Sequence, residues 1–155
     1  MPTIDCIKND FAEERVNRCS DRGCTLKLGG LSNSVILKGD GICKDHKICD
    51  CIIFTPGGEY VVIGIIELKS RTVHASEIEE KLTNGSEVAL DILEKCNDEH
   101  LKFDFYHIVL SKEWSSSELR MIESKRIRVG GKEYNIITKK CELSFPELIS
   151  RFKKR

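Results

Sequence analysis

The amino-acid sequence predicts a mixed α/β fold, in which a β-sheet is covered by helices on both sides. Residues 59–69 form an apolar run of strand length, and residues 75–96 carry apolar side chains at helical spacing. Strands and helices alternate along the rest of the chain, which is typical of layered α/β domains. Because 155 residues suit one hydrophobic core, we expect a single domain over residues 1–155.

The first half of the chain is predicted to begin with a helix at residues 10–20, where Ala12, Val16 and Cys19 share one apolar stripe. Strands are then expected at residues 24–28, 34–38, 47–55 and 59–69. The sequence PGG lies between the last two strands, and it predicts that they form a hairpin.

The second half of the chain begins with the helix at residues 75–96, in which an NGS triplet predicts a possible bend. The remaining elements are expected to be a strand at 103–110, a short helix that starts at 115–119, a hairpin at 125–140 and a helix at 144–153. The apolar density of residues 60–66 suits a strand at the centre of the sheet.

The composition is that of a globular protein, with 40% apolar and 32% charged residues. No apolar stretch reaches the length of a membrane span, and the N-terminus lacks the pattern of a signal peptide. We therefore expect a cytoplasmic protein with no membrane partner. The absence of glutamine favours a thermophilic source, in which the eight cysteines could form intracellular disulfides.

Charge is distributed unevenly, although the formal net charge is zero. Residues 74–104 contain nine acidic and three basic residues, whereas residues 120–155 contain eleven basic and four acidic residues. A basic segment can bind a polyanion such as nucleic acid. It is equally typical of a solvated surface with a charged tail.

Two carboxylates are expected to meet on the predicted acidic hairpin. If the loop has an even number of residues, with partner numbers summing to 115, Asp50 lies opposite Ile65 and diagonal to Glu67. Side chains alternate along a strand, so Asp50, Glu67 and Lys69 then share one face. A loop of odd length would place Asp50 on the other face.

This trio of charges fits a divalent cation better than it fits a dry strand. Adjacent carboxylates repel each other and are costly to bury, and Mg²⁺ prefers hard oxygen ligands of this kind. Lys69 could orient a nucleophilic water or offset charge on a phosphate. The alternative is that Glu67 and Lys69 only mark where the strand reaches solvent, and Asp40 is a spare carboxylate that could replace Asp50.

The arrangement of Asp50, an apolar strand and "IELKS" with Glu67 and Lys69 resembles the PD-(D/E)xK nuclease superfamily, which includes restriction endonucleases, archaeal Holliday junction resolvases and RecB-type nuclease domains. The resemblance covers residues 10–110 and leaves a basic C-terminal extension at 111–155. It implies a restriction-endonuclease-like sheet flanked by helices, with a C-terminal hairpin and helix added here.

The resemblance also implies roles for individual residues. Asp50 and Glu67 would bind the metal together with the backbone carbonyl of Leu68, and Lys69 would be the catalytic lysine. A further glutamate is expected from the first helix, where Glu13 is preferred over Glu14. Lys81, on the second helix, would bind the substrate. The alternative is that Lys81 is an ordinary surface lysine.

The function implied is a Mg²⁺-dependent deoxyribonuclease, in which Mn²⁺ could substitute, and more specifically an endonuclease acting as a homodimer. RNA stays open as a substrate. The alternative is a catalytically inactive protein of the same fold that binds nucleic acid or assembles with other proteins.

A second set of possible metal ligands has the spacing C-x₂-H-x₂-C-x-C, formed by Cys43, His46, Cys49 and Cys51. This is not the usual spacing of a zinc finger. We interpret Cys49 and Cys51 instead as small apolar residues of the sheet.

Overall fold

The computed structural model of the protein describes residues 1–45, 47–69 and 74–153, and it describes side chains as far as Arg151. The described helices are α1 (Pro2–Asp10), α2 (Gly39–Ile42), α3 (Ala75–Cys96), α4 (Ser116–Glu123) and α5 (Phe145–Lys153). The described strands are β1 (Cys19–Asp21), β2 (Cys24–Leu26), β3 (Val35–Lys38), β4 (Cys51–Gly57), β5 (Tyr60–Lys69), β6 (Lys102–Ser111), β7 (Arg126–Val129) and β8 (Lys132–Lys140).

Six strands form one mixed sheet in the order β3-β4-β5-β6-β8-β7. The pairs β3–β4, β4–β5 and β7–β8 are antiparallel, whereas β5–β6 and β6–β8 are parallel. The prediction of a mixed sheet flanked by helices is confirmed. Strand β5 lies inside the sheet and is buried from Val61 to Leu68, as its apolar density predicts.

Each face of the sheet has its own hydrophobic core. Helices α1, α3 and α4 cover one face, where Ile63 and Ile65 of β5 point. The hairpin β1–β2 and helix α5 cover the other face, where Val62 and Ile66 point. Side chains of a strand alternate between its two faces, so β5 contributes to both cores.

Glycines allow the close approach of helices to β5. A Cβ at Gly85 would lie 2.5 Å from the Cys49 sulfur and 3.1 Å from Ile65 Cγ2, so α3 can rest directly on the sheet only with glycine there. Helix α3 is continuous through the NGS triplet. On the other face, a Cβ at Gly64 would lie 2.8 Å from the ring of Phe145 in α5.

Three disulfides tie these layers together: Cys6–Cys96, Cys19–Cys51 and Cys24–Cys141. The first joins α1 to α3. The other two hold the hairpin β1–β2 to the start of β4 and to the residue that follows β8. The hairpin is therefore anchored across the sheet, although its own two strands pair only with each other.

The prediction of a first helix at residues 10–20 is wrong. Helix α1 begins at Pro2, a favoured residue for the first turn of a helix, and ends at Asp10, with Ile4 and Ile7 buried. The following segment instead pairs with the edge strand β3, since Val16 N–H donates to the Ile36 carbonyl over 2.9 Å. Pairing with a sheet edge prevailed over the apolar spacing that predicted a helix.

The predicted register of the hairpin β4–β5 is wrong by two residues, but its parity is confirmed. Gly57 stays in β4 and pairs with Tyr60, so partner numbers sum to 117 rather than 115. The two-residue turn is Gly58-Glu59, in which Gly58 has a φ of +76°, a conformation that favours glycine. The loop is still even, so the faces of the strands are as predicted.

Among the described helices, none is both long enough and apolar enough to cross a lipid bilayer.

Candidate metal centre

Asp50 and Glu67 meet where β4 begins and β5 ends. Cys51 pairs with Ile66, so one further step along the same register sets Asp50 directly opposite Glu67. The register shift thus brings the two carboxylates closer together than the predicted diagonal. The Leu68 N–H donates a 2.7 Å hydrogen bond to Asp50 Oδ2, which holds this carboxylate against β5.

Glu67 is an ionic side chain in a dry environment, with only 1% of its surface exposed. Its Oε2 contacts the ammonium groups of Lys69 at 3.1 Å and Lys81 at 3.2 Å. Its Oε1 is buried and accepts no hydrogen bond among the residues that the structure describes. Buried polar atoms are nearly always satisfied, so this oxygen marks a position where a hydrogen-bond donor, a water or a cation is expected.

Lys81 connects the centre to helix α3. Its ammonium group lies 3.3 Å from Glu77 Oε1, one turn earlier in the helix, as well as beside Glu67. Burial by itself lowers the pKa of Lys81, but the two carboxylates outweigh burial and raise that pKa above its usual value. Lys81 is therefore a fixed cation that contacts the same Glu67 oxygen as Lys69, and its role in substrate binding stays a prediction.

Asp50 is close to protonation at neutral pH. Burial and the neighbouring negative charge of Glu67 raise its pKa from 3.8 to about 7, against the opposing effect of the Leu68 hydrogen bond. Two carboxylates that share a buried site resist ionising together unless a cation compensates them. The ionised form of Asp50 is therefore available to such a cation at low energetic cost.

A cleft of about 580 Å³ opens beside Asp50 and connects the centre to solvent. Two further carboxylates line it, from Asp21 at the end of β1 and Asp40 in α2. Two cationic side chains, Arg18 and Lys38, line it as well, and Lys38 forms a 3.9 Å ion pair with Asp40. Asp21 also raises the pKa of Asp50 by its charge, though less than burial and Glu67 do.

Sequence reasoning missed Asp21. This aspartate is brought to the cleft by the β1–β2 hairpin, which the disulfide Cys19–Cys51 holds beside Asp50. No spacing in the sequence connects residues so far apart, and Asp21 directly follows the residues that were predicted to form a helix. Asp40 does not take the place of Asp50, since Asp50 itself lies opposite Glu67. Asp40 is an exposed residue that lines the same cleft.

Glu13 and Glu14 follow α1 rather than lying on a helix. Glu13 is exposed in the turn after α1, and Glu14 is partly buried beside Gly41 of α2. Neither glutamate is among the described residues that line the cleft. The first helix was expected to present Glu13 to the metal, but α1 ends at Asp10 and does not contain Glu13.

The cysteines do not assemble the alternative metal site. Cys51 is bonded to Cys19, and Cys49 is buried with a pKa raised by burial, so its thiol is not predisposed to ionise. His46 lies outside the described residues. A second group, in which Asp10 lies near Cys6 and Cys96, has both sulfur atoms joined to each other and not free to bind metal.

The donor set at the end of β5 fits a hard divalent cation such as Mg²⁺. Asp50 and Glu67 offer facing carboxylates, Glu67 keeps one oxygen without a partner among the described residues, and Asp50 lines an open cleft. Mg²⁺ binds through one or two carboxylates and keeps several waters, which requires such an opening. The backbone carbonyl of Leu68 is the predicted third ligand. Leu68 lies between Glu67 and Lys69 in β5, and its side chain packs in the core on the other face of the sheet.

Comparisons with known proteins add no relative to this picture. A scan against protein-family models finds no match, and neither the curated proteins nor the solved structures contain a significant match. The chemistry of the centre is therefore inferred from its own geometry.

Proposed function

We propose that the protein is a Mg²⁺-dependent nuclease that hydrolyses phosphodiester bonds of DNA. The observation that carries this proposal is the convergence of the buried Glu67 carboxylate with Asp50 and two lysine ammonium groups, at an end of β5 that lies beside a cleft. Ionisable side chains that perturb one another's pKa beside a cleft are typical of a functional site.

Each charged group has a separate role in this proposal. Asp50 and Glu67 hold the cation, and Mg²⁺ supplies charge neutralisation at the scissile phosphate and a more acidic water when bound. Lys69 is partly exposed and points its ammonium group toward the same carboxylate. It can therefore donate a hydrogen bond to a phosphate oxygen or to the attacking water, where developing negative charge needs stabilisation.

Lys81 is a second cation that contacts Glu67 beside Lys69. Because it bridges Glu67 and Glu77, it holds the Glu67 carboxylate in a fixed orientation and can offer its remaining N–H to the substrate phosphate. A binding protein without activity would not require two lysines and two carboxylates in this buried arrangement, since their desolvation is costly.

The experiment is a cleavage assay with purified protein on labelled single-stranded, duplex and branched DNA, with an RNA strand as a further substrate. We expect cleavage in Mg²⁺ or Mn²⁺ and none in chelator. The variants Asp50→Asn and Lys69→Ala should lose about 10²–10³-fold in rate, the effect of removing one group that stabilises a transition state. Internally labelled circular DNA separates endonuclease from exonuclease activity.

Matched controls come from exposed residues of helix α3. Asp91→Asn and Lys95→Ala change the same side-chain types away from the centre and should cut at the wild-type rate. Cleavage that survives both Asp50→Asn and Lys69→Ala would reject this site. Metal-independent binding of nucleic acid with no cleavage of any substrate would instead favour the inactive alternative.

A homodimer is a secondary part of the proposal, since cutting both strands of a duplex is simplest with two sites related by a two-fold axis. Sedimentation of the protein with and without duplex DNA tests it, and a monomer in both conditions would remove it.

A further inference from the structure

A second hollow of about 710 Å³ lies next to the cleft beside Asp50. The two spaces share the side chains of Asn17 and Arg18, which lie in the segment between α1 and β1. The second hollow is open to solvent and is lined by β2, the loop from β2 to β3, the start of β3 and the end of α1. A chain bound in the cleft would therefore reach the hollow past the two residues that line both spaces.

The two spaces differ in charge. The described residues lining the cleft include three aspartates and two cations, whereas those lining the hollow include three cations and no carboxylate. The cations are Lys8, Arg18 and Lys27, and none of them forms an ion pair within 4.0 Å among the described residues. The mixed charges of the cleft therefore attract an anion less than the cations of the hollow do.

The hollow is also partly apolar. Leu28, Leu31 and Ile36 line it beside the cations, and the amide side chain of Asn33 adds hydrogen-bonding groups. A duplex presents only charged backbone and groove edges to such a wall, because its base faces are stacked inside. A single strand presents phosphates and open base faces together, which suits a wall that is cationic and apolar.

We propose that this hollow binds a single-stranded segment of nucleic acid adjacent to the bond that is cut. The proposal rests on the nuclease function only for the position of the cut, because the hollow itself requires no metal. Lys8 and Lys27 bind phosphates, the leucines support base or sugar faces, and Arg18 guides the strand into the cleft. The substrate class is then DNA with an unpaired stretch, rather than a fully paired duplex.

The test is binding of a fluorescent oligothymidylate to the intact protein in chelator, followed by anisotropy over a range of salt concentrations. Loss of two phosphate contacts should weaken binding roughly 25-fold near 0.1 M salt, since each contact to a single strand contributes about 0.7 to the salt slope. The variant Lys8→Glu/Lys27→Glu should show at least this loss, and Lys8→Ala/Lys27→Ala should show the lower slope without charge reversal.

The matched control is Lys95→Glu/Lys102→Glu, which reverses two exposed lysines outside the hollow. It should bind the oligonucleotide as the wild type does. Thermal melting of every variant checks that it is folded. Equal weakening by the control and the hollow variants, or unchanged binding by the hollow variants, would overturn the proposal, and so would a wild type that binds no single strand.

The same experiment separates this inference from the proposed function. A fully paired duplex should lose less affinity than the single strand in the hollow variants, and an equal loss would reject the single-strand assignment. If the wild type binds through the hollow but cuts nothing in Mg²⁺, the nuclease proposal fails and the binding site stands. If it cuts while the hollow variants bind normally, the reverse holds.

Discussion

Two buried polar residues on neighbouring strands differ sharply in what surrounds them. Glu67 of β5 and His107 of β6 lie on the same face of the sheet, since His107 pairs with Ile65, two residues before Glu67. Each is almost completely buried, and each keeps one polar atom without a partner among the described residues, Glu67 Oε1 and His107 Nδ1. Burial and an unsatisfied atom therefore do not by themselves identify a functional site.

The difference is the position along the strand. His107 lies in the middle of β6, stacked on Phe105 at 5.7 Å and against Tyr134 at 5.4 Å, with Ser86 Oγ 2.7 Å from its Nε2. Burial lowers its pKa to about 3, so the ring is neutral. Glu67 lies near the strand end, beside two lysines and an aspartate that opens onto a cleft. The centre at Glu67 therefore differs from His107 in the opposite charges that contact it and in the cleft beside Asp50.

The largest expected effect separates the two groups by activity. Glu67→Gln removes the charge that would hold the cation and should reduce Mg²⁺-dependent cleavage by about 10²–10³-fold. His107→Phe should cut normally, because the phenyl ring fits the aromatic surroundings and Ser86 still donates to the Leu82 carbonyl. Initial rates on the same oligonucleotide measure both. Similar losses of activity in the two variants would show that Glu67 and His107 do not differ in function.

The disulfides offer a second test of the distinction. Cys19→Ser/Cys51→Ser opens a loop of 32 residues and should lower the free energy of unfolding by about 3–4 kcal/mol. It should also lower cleavage, because this bond holds the Asp21 wall of the cleft next to Asp50. Denaturant unfolding and cleavage rates are measured on the same samples.

The control for that test is Cys6→Ser/Cys96→Ser, in which α1 is released from α3 outside the cleft. We expect a comparable loss of stability with cleavage retained under folded conditions. If this variant loses activity to the same extent, the effect of Cys19–Cys51 is only one of stability.

A substitution in helix α3 should have a smaller effect, and it should alter the surroundings of both Glu67 and His107. Gly85→Ala puts a methyl group against Cys49 and Ile65, and overpacking of this kind costs about 1–3 kcal/mol. Because α3 carries both Lys81 and Ser86, both regions should be displaced. Thermal unfolding measures the loss. Gly29→Ala, where a Cβ meets no atom within 4 Å, is the matched control and should not destabilise the protein.

The two groups should also differ in the pH dependence of stability, measured in chelator. The folded pKa of His107 is about 3 and the reference value is 6.5, so the unfolded chain takes up the proton first and stability falls as the pH decreases below about 6.5. Asp50 behaves oppositely, since its folded pKa of about 7 exceeds the reference value of 3.8, and stability rises as the pH decreases from 7 toward 4.

These two slopes oppose each other between about pH 4 and 6.5, and each is at most about 1.4 kcal/mol per pH unit. His107→Phe should therefore leave a protein that gains stability on mild acidification relative to the wild type. Asp50→Asn should leave one that loses more stability than the wild type does. Chemical denaturation at several pH values measures both slopes, and parallel curves for the two variants would contradict this assignment.

Much of the main sheet could be predicted from local pattern. The helix predicted at residues 75–96 is α3 with the same bounds, and the strands β4, β5 and β6 and the final hairpin lie close to the predicted ranges. Period and turn residues determine such elements within a short window of sequence. The helix predicted at 10–20 failed because pairing with β3 depends on residues distant in the chain, which a local period does not contain.

The candidate metal centre was also only partly predictable from local sequence pattern. An even loop was enough to predict that Asp50, Glu67 and Lys69 share a face, since parity survives a register shift of two residues. The register itself was not predicted correctly, because it depends on which glycine takes the positive φ in the turn. Lys81 was anticipated only through the resemblance, and Asp21 was not anticipated at all.

The sequence by itself therefore determined which elements form and which side chains share a face, because both follow from repeats of two and 3.6 residues along the chain. Only the tertiary structure decided how deeply Glu67 is buried, which lysines contact it and what opens beside Asp50. Those properties arise where α3 and the disulfide-bound hairpin pack against β4 and β5. The free energies of burial and charge at such contacts depend on segments that are far apart in sequence.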